Sequence, residues 1–289
     1  MPVRVVDAHT HLFPPDVIER RQHFISKDRW FGHLYENPRA KLAAAVDIID
    51  SMDVAGVHMS VACGFPWADP GLCREQNDFM AETCRLAPDR LAFLGIVVPT
   101  SPDAANEAER CFAMGAVGIG ELNADAQGFD LQRPMDMQGL METCAAHVKP
   151  VMLHATEPIG HDYPGKGAST PERLVTWLTA YSHQPVVLAH WGGGLPFYEL
   201  MPEVHAVTRN VVYDSAATTY LYRQPVFEHV SALAGSDRVL FASDYPILRQ
   251  DRLLRRVERT MGDQPGFGEL VGGNADRVYG LRDIEVTCR

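Results

Sequence analysis

The chain has 289 residues and a formal charge of −11 at pH 7, with 37 acidic residues against 26 basic ones. That length fits two ordinary domains, or one α/β barrel of roughly 250 residues with insertions. The acidic balance excludes a nucleic-acid surface, which needs clustered Lys and Arg; the stretch Arg252, Arg255, Arg256, Arg259 is interleaved with Asp251 and Glu258 and reads as a solvated helix face.

No apolar run precedes the first predicted strand at signal-peptide length, and none is long enough to span a bilayer. Six cysteines (Cys63, Cys73, Cys84, Cys111, Cys144, Cys288) form no C-x-x-C pair. Reduced thiols in a cytoplasmic protein with no membrane partner are therefore expected.

In chain order, eight short runs rich in Val, Ile, Leu and Ala read as strands: Val3 to His9, Val57 to Cys63, Leu91 to Val98, Val117 to Leu122, Val151 to Ala155, Val186 to His190, Asn210 to Asp214 and Val239 to Ser243. Most are apolar on both faces, as parallel strands covered by helices must be. Amphipathic stretches such as Lys41 to Val54, Gln76 to Ala87, Asp103 to Met114 and Pro171 to Tyr181 lie between them. Ser101-Pro102 and Thr170-Pro171 place a capping hydroxyl before proline at two helix starts. With no composition break along residues 1–289, the pattern predicts one α/β domain, a single (β/α)8 TIM barrel. A doubly wound open sheet is the alternative.

Two connections are too long for ordinary barrel loops and are expected to shape a substrate pocket. Leu12 to Pro38, after strand 1, carries Arg29 and Trp30 among several aromatic residues and cations, a composition suited to a flat or carboxylated small molecule. Thr156 to Thr170, after strand 5, is rich in Pro and Gly and reads equally as a lid or a surface loop.

Polar residues gather at the predicted C-terminal strand ends, where barrel enzymes place their chemistry. His9 and His11 close strand 1, and their spacing puts both imidazoles on one face. Glu121 closes strand 4, His154 strand 5, His190 strand 6 and Asp244 strand 8. Met152 and His154, Leu188 and His190, and Ala242 and Asp244 are each expected to share a face pointing into the barrel mouth. Imidazoles and carboxylates buried together are costly without a metal or a partner. His147, His183, His205 and His229 fall on predicted helices, and His58 lies at the wrong strand end. Trp191-Gly192-Gly193-Gly194 suggests close backbone packing beside the site, with Trp191 a candidate substrate contact.

The segments Asp7-Ala8-His9-Thr10-His11, Val151-Met152-Leu153-His154, Val187-Leu188-Ala189-His190-Trp191-Gly192-Gly193 and Phe241-Ala242-Ser243-Asp244-Tyr245-Pro246 together resemble the amidohydrolase superfamily. The resemblance is narrower to the amidohydrolase-related branch that includes aminocarboxymuconate semialdehyde and resorcylate-type decarboxylases. It implies that His9, His11, His154 and Asp244 bind a divalent metal, with His190 beside the reacting group. Zn²⁺ suits this donor set best, with Mn²⁺ or Fe²⁺ as alternatives. Strand 4 departs from the two-metal pattern, since Glu121 stands where a carbamylated lysine is usual. The segment Gly118-Ile119-Gly120-Glu121-Leu122 is similar to that of TatD-like deoxyribonucleases, so Glu121 reads as a ligand, a bridge to a second ion, or an orienting carboxylate, leaving one or two ions open.

The expected activity is hydrolysis of an ester, lactone or amide by metal-activated water, with Asp244 as ligand and proton acceptor and His190 polarising a carbonyl or moving a proton. The alternative is non-oxidative decarboxylation of an unsaturated or aromatic acid. A catalytically silent metal sensor is a third reading. The resemblance also implies a homo-oligomer.

Overall fold

The computed structural model describes residues 3–282, so Cys288 lies outside the described residues. Its eight parallel strands are β1 (Val6–His11), β2 (Met59–Cys63), β3 (Leu91–Gly95), β4 (Gly118–Leu122), β5 (Val151–Leu153), β6 (Val186–Leu188), β7 (Val211–Asp214) and β8 (Val239–Leu240), ordered β1 to β8 around the sheet. Each predicted strand is present, most of them shorter at one end. The barrel closes where the chain beyond β8 meets β1: Ala8 N donates to Phe241 O at 2.9 Å and Asp244 N to His9 O at 2.9 Å. Helices follow the strands and form the outer layer, as the (β/α)8 reading requires.

Alternation divides the apolar residues into two cores. Val6, Ala8, Met59, Val61, Leu94, Met152, Val187, Val212, Leu240 and Ala242 fill the barrel, plugged from below by Ala275 and Tyr279. Their neighbours Val151, Leu153, Val186, Leu188, Tyr213 and Phe241 face the helices. Leu188 therefore points outward, which corrects the expectation that it shares a face with His190.

Two strands break the alternation, and both carry site residues. Between Asp7 and Thr10, β1 takes three steps while β2 takes two from Ser60 to Ala62. Between Ile119 and Leu122, β4 likewise takes three steps against two on β5. Each extra residue is a bulge, which re-aims side chains next to it; here they lie at His9 and at Glu121.

The connection after β1 is not a bare loop. It forms helices Pro15–Glu19, Arg21–Lys27 and Arg29–Tyr35. They are held on the barrel by an aromatic cluster: Phe31 stacks on Trp67 (5.1 Å) and meets Phe65 (5.1 Å), Tyr35 (4.7 Å) and Phe13 (6.3 Å). Because Phe31 is fully buried, Phe31→Ala should cost about 3–5 kcal/mol in urea unfolding. A loss below about 1 kcal/mol would show that the insertion contributes nothing to the cooperative unit.

The two predicted caps differ from expectation. Thr170 occupies the position before helix Pro171–Ala180 without a side-chain cap bond. Helix Ala104–Ala113 starts after Asp103, and Ser101 Oγ accepts only from Asp103 N at 3.3 Å. Pro171 has no N–H, which reduces what needs capping. The cysteines Cys63, Cys73, Cys84, Cys111 and Cys144 are free and buried. Among the described residues no helix is long and apolar enough to cross a membrane.

Candidate metal centre

Strand ends and turns bring His9, His11, Glu121, His154, His190 and Asp244 together at the C-terminal mouth. Alternation delivers His154 from Met152 and Asp244 from Ala242. His190 arrives differently: the backbone turns left-handed at His190 (φ 57°) and stays so through Trp191 and Gly192 to Gly194, five consecutive residues. Asp244 is also left-handed (φ 60°). A Cβ on Gly193 would lie 2.2 Å from Thr156 O, so the turn packs backbone against backbone as the glycine run suggested.

The donor atoms fall into two groups, His9/His11/Asp244 and Glu121/His154/His190. In the first, His9 Nε2 and His11 Nε2 face one another at 3.2 Å. Asp244 Oδ1 is 3.1 Å from His11 Nε2 and 4.0 Å from His9 Nε2. In the second, Glu121 Oε1 is 2.8 Å from His154 Nδ1 and 3.3 Å from His190 Nε2. The other oxygen, Oε2, faces the first group at 3.5 Å from His9 Nε2 and 3.8 Å from His11 Nε2. One carboxylate thus spans both groups.

Three buried atoms of this cluster, His11 Nδ1, His190 Nδ1 and Asp244 Oδ1, have no hydrogen-bond partner. Unpaired buried polar groups are costly, and a cation is one way to offset that cost. The donor set of four imidazoles and two carboxylates fits a divalent ion of the zinc or manganese type.

Electrostatics agree with that fit. Burial opposes charge on His9, but Cys63, Asp214 and Glu121 outweigh it and raise the imidazole well above its ordinary value. Burial itself pushes the Cys63 thiol up to about 12 and keeps it neutral, so the carboxylates carry that effect. His190 is likewise opposed by burial, yet its hydrogen bond to Glu121 and the charges of Glu121 and Asp244 raise it to about 9. Burial would lift Glu121, but His154 and His9 hold it well below the usual carboxylate range. Asp244 is lowered against burial by His11 and the other imidazoles. Protons here supply the positive charge that a divalent ion would bring.

Residues after β5 close over one side. His154 Nε2 faces Gly165 O at 2.9 Å, and His33 Nε2, from the insertion after β1, faces Pro164 O at 2.9 Å. The two long connections therefore meet above the cluster. Tyr35 packs on Phe13 (5.5 Å) and Phe31 (4.7 Å); burial, then the charge of Asp244, pushes its hydroxyl up, with Arg21 opposing, so it stays a proton-bearing donor.

The three candidate substrate contacts are not gathered in the same way. Arg29 starts the helix Arg29–Tyr35 with its side chain exposed, and Trp30 is half-buried with its ring 5.3 Å from His33. Trp191 is fully buried, its Nε1 donating to Thr218 Oγ1 at 2.9 Å and its ring edge-on to Phe227. Its indole is a packing group; the left-handed turn that bears it directs it into the helix layer.

Two further buried carboxylates, to which the sequence motifs assign no role, flank the cluster. Asp7 accepts from Ser243 N (2.9 Å), Ser243 Oγ (2.5 Å) and Gln250 Nε2 (2.9 Å), tying β1 to the segment that carries Asp244. Burial raises Asp7 to about 6 despite these bonds. Asp214 lies behind His9, with Oδ2 2.8 Å from Nδ1. It ends a strand just as His154 and Asp244 extend theirs, and that position was the available signal. Three of the other histidines have partners away from the cluster: His147 with Glu109, His205 with Glu199, and His58 Nδ1 accepting from Val5 N.

Comparison with known proteins agrees with this architecture. The gamma-resorcylate decarboxylase of Rhizobium radiobacter is 26% identical over 252 residues, covering 73% of this chain and 76% of that protein. The 5-carboxyvanillate decarboxylase of Sphingomonas paucimobilis superposes with a TM-score of 0.80 at 18% identity, over 96% of this chain and 99% of the other. The 5-carboxyvanillate decarboxylase of Novosphingobium aromaticivorans, in complex with manganese and 4-hydroxy-3-methoxy-5-nitrobenzoic acid, gives a TM-score of 0.77 at 18% identity, over 96% of each chain. A family model described as amidohydrolase matches residues 6–281, and with that match spanning nearly the whole barrel the chain belongs to the amidohydrolase family.

Proposed function

We propose that the chain is a metal-dependent, non-oxidative decarboxylase of an aromatic or unsaturated carboxylic acid. This reverses the order expected from the strand-end residues, which favoured hydrolysis. The decarboxylase relatives support the change, and one observation within the site carries it: the left-handed turn holds His190 Nε2 3.3 Å from Glu121 Oε1, where an imidazole N–H can be presented beside the metal position. Decarboxylation needs an acid at the carbon that loses carbon dioxide, whereas hydrolysis needs a base beside water.

In this reading His9, His11, Asp244 and Glu121 would hold the ion, with His154 completing the set across Glu121. When bound, a divalent ion supplies positive charge for the substrate carboxylate; manganese in a relative and the imidazole-rich set leave Mn²⁺ and Zn²⁺ as candidates. His190 Nε2–H delivers its proton to the carbon bearing the carboxylate, forming a C–H bond. The C–C bond then breaks, its electron pair returns to the ring or double bond, and carbon dioxide leaves. Tyr35 donates to an oxygen of the substrate, and the connections after β1 and β5 exclude water.

Hydrolysis is the second reading, favoured by Glu121 facing both donor groups, a geometry suited to two ions. Incubating candidate acids in labelled water separates the two. Decarboxylation releases carbon dioxide and leaves a solvent hydrogen on carbon, with no new oxygen. Uptake of one labelled oxygen into a product acid, with no gas, would reverse the order. Glu121→Gln addresses stoichiometry: two ions per chain falling to one in elemental analysis supports a bridge, while an unchanged count supports an orienting role.

A further inference from the structure

Asp214 ends β7 and is fully buried, yet its carboxylate is engaged on both oxygens. Oδ2 lies 2.8 Å from His9 Nδ1. Oδ1 accepts two backbone N–H groups, His190 N at 2.9 Å and Ala216 N at 3.0 Å. A carboxylate only accepts, so the ring of His9 must present Nδ1–H to it, and its Nε2 is then left for the cluster when the ring is neutral. The same group grips the first amide of the left-handed turn His190 to Gly194, a conformation that costs a non-glycine residue free energy unless its surroundings enforce it.

We propose that Asp214 is a positioning residue serving two members of the centre at once: it directs His9 Nε2 toward the metal position and anchors the turn that carries His190. The first half rests on the reading of His9 as a ligand; the second depends only on backbone geometry. Asp214 touches neither ion nor substrate. It couples the end of β1 to the turn after β6 through the carboxylate between them.

Asp214→Asn separates the two duties. The amide oxygen can still accept from His190 N and Ala216 N, which leaves the NH₂ group facing His9 Nδ1. His9 must then accept there and carry its proton on Nε2, where the ion would bind. Zn²⁺ affinity, measured by competition with a chelating dye, should fall about 10- to 100-fold. Residue-resolved amide exchange at His190 should stay within about threefold of the parent. Asp214→Ala removes both acceptors, so affinity falls again and His190 amide exchange accelerates on the order of tenfold or more.

A folded Asp214→Asn protein that binds Zn²⁺ as tightly as the parent overturns the His9 half, even if both variants melt earlier, because that is the signature of a merely structural residue. A His190 amide that exchanges in the parent as fast as an unprotected one overturns the second half, and this measurement holds even where Asp214→Ala does not fold. A parent that binds no Zn²⁺ or Mn²⁺ overturns the reading of the metal centre itself and, with it, the His9 half.

Discussion

Replacing His9 and His11 together by alanine should empty the metal centre while leaving the barrel folded. Elemental analysis should fall from at least roughly one divalent ion per chain to near zero, and far-UV circular dichroism should be unchanged. The reason is the separation of the two cores: the strands are held by Val6, Ala8, Met152, Val187 and their neighbours, whereas the two imidazoles contribute only to the mouth. Full metal content in the double variant would sink the assignment. Acid should remove the ion as well. In the metal-free protein the His9 imidazole is raised, so an ion that it ligates must displace its proton, and affinity rises with pH. Calorimetry in buffers of differing ionisation enthalpy should show proton release at pH 7. Metal-free stability runs the other way. A raised His190 contributes stability that is fully present below its ordinary value of 6.5 and is lost as pH rises through about 9.

His190→Asn should keep the metal and lose turnover by about two orders of magnitude or more. Asparagine is of similar size and can donate to Glu121, but it cannot deliver a proton to carbon. The measurement is kcat at saturating metal together with metal content. Equal loss of metal would make His190 a ligand and not the acid, and the proposed chemistry would need another proton donor. Tyr35 is the next candidate, since burial, and after it the charge of Asp244, keeps its hydroxyl protonated. A normal kcat with normal metal would remove His190 from the mechanism altogether.

Much of this site was legible along the chain because strand-end chemistry is local. His9, His11, Glu121, His154, His190 and Asp244 each follow an apolar run, and a parallel barrel must bring the C-terminal ends of all such runs to one face. The residues that aim these groups were not legible. Asp7 and Asp214 look in sequence like ordinary polar residues of a strand; only the closed barrel sets Asp214 against His9 from β1 and His190 after β6. The placement of Trp191 was hidden for a related reason. It follows His190 directly in the chain, yet the left-handed turn from His190 to Gly194 swings its ring into the core against Phe227.

Sequence by itself determined the (β/α)8 architecture, the identity of the six clustered residues and the presence of two long connections, because periodicity and residue type carry those properties without reference to distant neighbours. Tertiary structure decided which atoms face which. The bulges in β1 and β4 turn His9 and Glu121 toward the mouth against simple alternation. Glu121 spans both donor groups, and carboxylates from other strands keep protons on His9 and His190. Those outcomes depend on long-range packing and on electrostatics summed over residues from different strands, 205 positions apart for His9 and Asp214, which no local pattern in the chain encodes.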